Sequence, residues 1–284
     1  MTITFQDGFE TKDFSKWDRV SVSAGAVVEI DLGTPLAGKA SAKCTIPGLA
    51  TGVQNAGVSK NVAGLTLLHA RCRVRVDLLS LIAEHERVNP IVFLKAGGVQ
   101  CSAVIEMING IPVWTIRSAT GTTIHATFGP TIDKTYTVEM KYEVGSPIEL
   151  WIDGTSVLTQ VHTSTDPITA ASFGIAIATN VQNPARVTID ECALGDAYIG
   201  PPSVISGCWI ATAAYGTPFA WQLNVLRHFR DSFMSLTEIG RKAIRTYYKT
   251  SPPIANAIRR HDSLRLLVRT FLKPIVAFLR KREN

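Results

Sequence analysis

The 284-residue sequence predicts a mainly β fold: an antiparallel β-sandwich over residues 1–200, then a small all-α domain over residues 208–284, joined by a linker at 201–207. Three observations carry that reading. Apolar residues recur at every second position through the first two hundred residues and at helical spacing after Pro202. A Gly200-Pro201-Pro202 junction separates the two regimes. The charge changes at the same place: residues 201–284 hold 14 Lys/Arg against 4 Asp/Glu, a balance of +10, whereas residues 1–200 hold 15 against 19, a balance of −4.

The strand pattern is clearest in TYTVEMKYEV (Thr135–Val144). Tyr136, Val138, Met140 and Tyr142 fall on one face, and Thr137, Glu139, Lys141 and Glu143 on the other, because successive side chains of a strand point to opposite sides. ARCRVRVD repeats this, with Ala70, Cys72, Val74 and Val76 opposite Arg71, Arg73 and Arg75. IELWIDGTSVLTQV reads as a hairpin: Ile148–Ile152 leads in, Asp153-Gly154 accepts the positive φ of a tight turn, and Ser156–Val161 returns. Further runs lie at Ile3–Phe5, Val27–Asp31, Ser41–Thr45, Ile91–Lys95, Ala103–Ile108, Val113–Arg117, Phe173–Ala178 and Ala185–Asp190. About a dozen short strands with Gly, Pro and Asn/Asp turns and no helical pattern between them specify a sandwich rather than an α/β fold.

Beyond Pro202 the spacing predicts four helices. Thr217-Pro218 caps one that carries Phe219, Val225, Leu226, Phe229 and Phe233. Ser235 and Glu238 have the spacing of a capping box for the next, and Ser251-Pro252 opens a short third. Asp262-Ser263 caps the last, whose apolar stripe is Leu264, Leu267, Val268, Phe271, Ile275 and Phe278, with Arg265, Arg269 and Lys273 alongside and a kink expected at Pro274. A basic amphipathic helix of this kind suits an anionic membrane surface, so residues 262–284 are a candidate membrane-surface element; packing among sibling helices is the alternative.

Composition narrows the function classes. The five cysteines, Cys44, Cys72, Cys101, Cys192 and Cys208, form no CxxC pair and no Cys/His cluster of zinc spacing, and an odd number fits reduced thiols. No run of about 18 apolar residues is present, so no spanning helix is expected. MTITFQDGFE is already β-domain sequence, so no signal peptide is read there. Ten net positive charges attract polyanions, but no base-reading motif accompanies them, and sequence-specific nucleic-acid binding is not expected.

FQDGFETKDFSKW (Phe5–Trp17) resembles the opening of the concanavalin A-like lectin/glucanase jelly rolls, which include the laminin G-like modules. YTVEMKYEVGSPIELWIDGTSV is similar to their penultimate hairpin, and ARVTIDECALGDAYIG to the closing strand that pairs with the first. The resemblance spans residues 3–200 and implies a jelly roll; it leaves function open, since the fold hosts lectins, lyases, hydrolases and structural modules. CWIATAAYGTP, the Leu226–Asp231 segment and YYKTSPPIANAI resemble a CFI-box C-terminal domain over residues 206–280, with Trp209 where that box has Phe. That resemblance implies a localisation or anchoring device.

Candidate sites follow from these readings. Glu29-Ile30-Asp31 lacks the third acid of a glucanase motif, and no lyase trio is recognisable, although His125 and Arg117 fall on adjacent candidate strands, so no catalytic residue is assigned. Arg71, Arg73 and Arg75 with Trp114 and Arg117 form the candidate ligand-binding set, because guanidiniums and an aromatic plate grip acidic sugars. The superfamily resemblance implies a structural Ca²⁺, with Asp7, Glu10 and Asp190 as oxygen ligands; no other cofactor is required. Cys208 is a candidate modification site or reactive thiol. The leading expectation is a non-enzymatic module that binds a polysaccharide or protein surface and is tethered to an envelope, cell surface or membrane. A lyase or hydrolase and a structural subunit of a larger particle are the alternatives. Oligomeric state stays open.

Overall fold

The computed structural model describes residues 2–49, 52–120, 123–200, 209–215 and 261–283, with scattered residues between 222 and 258. The chain divides into two compact units, Met1–Pro202 and Ser203–Asn284.

The alternating pattern of the first unit closes into two antiparallel sheets packed face to face. Sheet A holds β1 (Ile3–Asp7), β3 (Val27–Asp31), β4 (Ser41–Ile46), β6 (Leu67–Leu78), β11 (Thr135–Glu143), β12 (Ile148–Ile152), β13 (Thr155–Gln160) and β15 (Ala185–Gly195). Its strand order is β13-β12-β11-β6-β15-β4-β3, with β1 also pairing β15. Sheet B holds β2 (Arg19–Val22), β5 (Val53–Leu65), β7 (Arg87–Lys95), β8 (Gly98–Ile108), β9 (Ile111–Ser118), β10 (Thr123–His125) and β14 (Ile168–Thr179), in the order β10-β9-β8-β7-β14-β5-β2. The expected closing strand is present: Phe5 pairs with Leu194 and Gln6 with Ala193. The expected hairpin is present too, with Asp153 at φ 52° and Gly154 at φ 81°.

The inward faces of both sheets make one core, in which Phe93, Trp114, Tyr142 and Phe173 are fully buried. Burying each such side chain stabilises by about 1.5–3 kcal/mol before entropy is counted. Trp17, from the opening motif, stacks on Phe9 at 5.9 Å and meets Phe173 edge-on at 5.6 Å. That triad explains why the motif needs its aromatics. Cys44, Cys72, Cys101 and Cys192 are free, buried thiols; burial pushes Cys44 up to about 12, far from any reactive thiolate.

In the second unit, α1 (Trp209–Tyr215) and α2 (Asp262–Glu283) are described. Small residues let α1 approach its neighbours: Ala213 and Ala214 pack with Ala255 and Ile258, against Ile210 and Val268. The Arg269 guanidinium donates to the Ala214 carbonyl at 2.6 Å and lies over the Tyr215 ring, a cation at the C-terminal end of α1 where the dipole favours it. Val225, Val276 and Leu279 form a second small cluster. The expected stripe of α2 is therefore only partly inward. Val268 joins the core, whereas Leu264, Leu267, Phe271, Ile275 and Phe278 are exposed. α2 continues on both sides of Pro274. The caps expected at Thr217-Pro218 and at Ser235 and Glu238, the linker 201–207 and Cys208 lie outside the described residues.

Candidate functional site

The row Arg71, Arg73 and Arg75 does leave one face of one strand, the outer face of sheet A, but each guanidinium is engaged by the protein itself. Arg71 is buried and donates to the carbonyls of Gly200 and Glu191, both at 3.2 Å. Arg73 donates to the Leu36 carbonyl at 2.9 Å and lies 3.5 Å from Glu191. Arg75 pairs with Asp77 and reaches Thr34. Next to them, buried Glu139 accepts the Ile199 and Gly200 amides, each at 2.8 Å, and faces His69 at 2.9 Å. The Tyr198 ring packs on Trp151 at 5.2 Å. The face is thus lidded by the 32–40 loop and by the segment ending at Gly200, whose φ of 76° suits glycine.

The expected Ca²⁺ ligands are likewise turned to protein donors. Asp7 accepts Phe9 N–H, Lys16 Nζ and the Trp17 indole N–H. Glu10 accepts Lys39 N–H at 2.7 Å. Asp190 accepts Ala37 N–H, the Ser41 hydroxyl and Glu191 N–H, and burial pushes its carboxyl up to about 7 against those hydrogen bonds. A hard cation needs ionised oxygens aimed at one point; these three carboxyls are aimed at N–H and O–H groups instead. The residues present do not fit the ion. Among the described residues, no group of three or more His, Cys, Asp and Glu is placed to hold a metal. Asp31, the second acid of the rejected glucanase pair, accepts Gly33 N–H and the Thr34 hydroxyl and pairs with Lys43.

Trp114 and Arg117 part company. They are an odd number of positions apart on β9, so their side chains take opposite sides. Trp114 is fully buried, edge-on to Tyr136 in the core, and offers no plate to a ligand. Arg117 stands on the outer face of sheet B. There it grips buried Glu106, with Nε donating at 2.9 Å, and His85 contacts the same carboxylate at 3.1 Å. Burial raises the Glu106 carboxyl, but Arg117, His85 and Arg87 outweigh it and hold the group below the ordinary carboxylate range. His125 lies on the paired strand β10, 3.0 Å from the Thr115 hydroxyl.

The same outer face carries a groove of about 270 Å³ over strands β2, β5, β14 and β7. Its polar lining is Arg19, Ser21, Asn55, Ser59, Asn61 and Ser172, and its apolar lining is Gly57, Ala170 and Ala176 with Val92, Leu94 and Ile177. A Cβ on Gly57 would sit 2.5 Å from the Phe173 carbonyl, so the close approach of β5 and β14 requires glycine there. Ser59 and Ser172 hydroxyls share a hydrogen bond of 2.7 Å across the two strands. Sequence reasoning missed this set. The signal was present in VQNAGVSKN: Asn55, Gly57, Ser59 and Asn61 alternate with Ala56 and Val58, a polar stripe at strand period without large residues to announce it.

No protein-family model matches the chain, and no curated protein matches it in sequence. Among solved structures it is similar to the cellulose induced protein Cip1, at 16% identity and a TM-score of 0.54, over 69% of this chain and 99% of that one. It is similar also to an endo-beta-1,4-glucuronan lyase from the fungus Trichoderma reesei, at 16% identity and a TM-score of 0.54, over 69% of this chain and 96% of that one. At that identity the likeness is one of fold. The first unit is a jelly-roll β-sandwich, consistent with the concanavalin A-like resemblance of its sequence.

Proposed function

We propose that the jelly-roll unit is a non-enzymatic carbohydrate-binding module that takes a glycan in the groove of sheet B, and that the basic helical unit tethers it to an envelope, membrane or larger assembly. The observation that carries the reading is the groove's lining of hydroxyl and amide side chains beside an apolar floor of Gly57, Ala170 and Ala176 with Val92, Leu94 and Ile177. Sugar hydroxyls donate and accept together, and Ser and Asn do the same. Gly57 lets a ring approach the sheet, and Val92, Leu94 and Ile177 offer an apolar surface to its C–H face. Support from fold comes from the two similar structures, one named for its induction by cellulose and one for its action on glucuronan. The likeness of residues 206–280 to the CFI-box domain supports the tethering half.

A lyase is the second reading, because Arg117 and His125 share the outer face of sheet B on paired strands. Against it, Glu106 already neutralises Arg117, and its lowered proton affinity makes it a poor general acid. Glycan-array screening of the wild-type chain, followed by calorimetry on the best glycan, tests the binding reading. Arg19 and Asn61 are exposed, so Arg19→Ala/Asn61→Ala should leave folding intact. Losing two hydrogen bonds, each contributing about 0.5–1.5 kcal/mol, should weaken binding about tenfold. A wild-type chain that binds no polysaccharide overturns the module; release of unsaturated ends from a uronic-acid polymer replaces it with the lyase.

A further inference from the structure

Strand β15 changes phase in its middle. Val187 and Ile189 face the core, and so do Cys192 and Leu194, although a regular strand would have turned Glu191 inward after Ile189. The pairing with β6 shows the cause. Asp190 stands opposite Arg73 and Ala193 opposite Arg71, so Glu191 and Cys192 together face Cys72. Two residues against one make a β-bulge, and Glu191 takes a φ of 45° within it. The Glu191 carboxylate lies 3.5 Å from Arg73 on the outer face, and Cys192 takes the inward place that parity would have given to Glu191. Cys72 and Cys192 are therefore both fully buried in the core, on neighbouring strands and thiol against thiol.

We infer that Cys72 and Cys192 are a disulfide site, oxidised by a small disulfide such as oxidised glutathione while the chain folds. Neighbouring antiparallel strands hold cross-strand Cα atoms about 4.5–5.5 Å apart, inside the roughly 4.4–6.8 Å that a disulfide spans. The other described thiols are out of reach. Cys44 lies on β4, beyond β15 from β6, so two strand spacings, about 9.5 Å, separate it from Cys72. Its partner on β15 is Val187, not Cys192, and residues further along a strand recede by about 3.3 Å each. Its sulfur fills the space over Gly174, where a Cβ would sit 2.6 Å from it. Cys101 is on β8 of the opposite sheet, across about 10 Å of core. In the exchange, one cysteine thiolate attacks a donor sulfur and expels one donor thiolate, and the other cysteine thiolate then displaces the second. The pair gives up two protons and two electrons, and the donor leaves as two thiols. The reaction belongs to the folding chain, because burial, and then Cys72, push the Cys192 thiol well above its ordinary value once the core closes. The bulge then decides which pair is kept. The bond closes a long loop, the case in which a cross-link restricts the unfolded chain most. The inference is independent of the glycan groove and of the tether.

The test is refolding of the full, reduced chain from urea, once in a mixture of oxidised and reduced glutathione and once in dithiothreitol. Free thiols are then blocked with N-ethylmaleimide in denaturant, and the linkage is read by peptide mapping without reductant. The glutathione sample should yield a linked Cys72–Cys192 peptide in most molecules, and the dithiothreitol sample should carry maleimide on both residues. The bridged chain should melt about 10 °C higher than the reduced one. Cys72→Ala should abolish the linked peptide and the shift together, whereas Cys44→Ala should keep both. The linkage is read on wild type alone, so it stands apart from how well Cys72→Ala folds. Maleimide on Cys72 and Cys192 after refolding with glutathione overturns the proposal, as does a linked peptide that joins any other pair. A Cys72–Cys192 bridge that lowers the melting temperature overturns it too, because the native register would then not accommodate the bond.

Discussion

The outer faces of the two sheets follow the same period-two rule and end in opposite use. On sheet A the outward residues are long and charged: Arg71, Arg73, Arg75 and Glu139, with Glu191 from the neighbouring strand. On sheet B, over the groove strands, they are short and mostly uncharged, Ser21, Asn55, Ser59 and Ser172. Guanidiniums and carboxylates held close to a sheet must be matched or they destabilise it by several kcal/mol. Sheet A meets that demand from within the unit, through the carbonyls of Thr34 and Leu36 in the 32–40 loop, of Glu191 on β15 and of Gly200. Hydroxyls and amides make a weaker demand, so sheet B stays open. A conspicuous row of charges on a strand is therefore as much a request for internal partners as an offer to a ligand.

The strongest way to break the comparison is Glu139→Ala. It leaves the amides of Ile199 and Gly200 without their acceptor and takes from Arg71 one of its two neighbouring carboxylates, leaving Glu191 alone, and should cost about 3–5 kcal/mol in urea unfolding of the first unit, while the remaining folded protein binds glycan as before. A loss below about 1 kcal/mol would mean that the sheet A face is not a lock. The next effect is one of pH. Burial holds the Asp190 carboxyl at about 7, against about 3.9 in an unfolded chain. Between those values the native state keeps a proton that the unfolded state has released, so stability falls as pH rises across the window and levels off above it. Burial raises Glu191 in the same direction. Melting should be higher at pH 5 than at pH 8, by roughly 3 kcal/mol in unfolding free energy, and Asp190→Asn should flatten the slope; an unchanged slope would refute the assignment. The groove pair Arg19→Ala/Asn61→Ala should lower affinity about tenfold with no change in melting, the reverse of Glu139→Ala. Smallest is Arg75→Ala, at the rim of the lidded face, where loss of the Asp77 pair should cost about 1 kcal/mol in the same urea titration. A cost equal to that of Glu139→Ala would show that the rim and the centre of that face are equally locked.

Legibility tracked how local each cause was. The hairpin at Asp153-Gly154 was readable because positive φ is a property of two adjacent residues. The strand β6 was readable because apolar and charged residues alternate without exception from Ala70 to Val76. The strand β5 was not, since VQNAGVSKNVAGL mixes Gly, Asn and Ser, which disfavour strands in isolation, and its pairing with β14 overrides them. Parity alone separates Trp114 from Arg117, and a strict count along Val113–Arg117 reveals that they cannot share a face. What no count reveals is that the loop 32–40 folds over Arg73 and Arg75, since that contact joins segments far apart in the chain.

The sequence by itself determined the two-part organisation, the sandwich class, the closing strand and the amphipathic last helix, because periodicity, turn residues and charge balance act over a few residues. Tertiary structure decided which outer face is covered and which is open, why Asp7 and Asp190 hold backbone and side-chain donors rather than a cation, and which residues of α2, Val268, Val276 and Leu279, pack into the helical unit. Those outcomes depend on the partners that distant segments bring to each polar group, and only the folded chain specifies those partners.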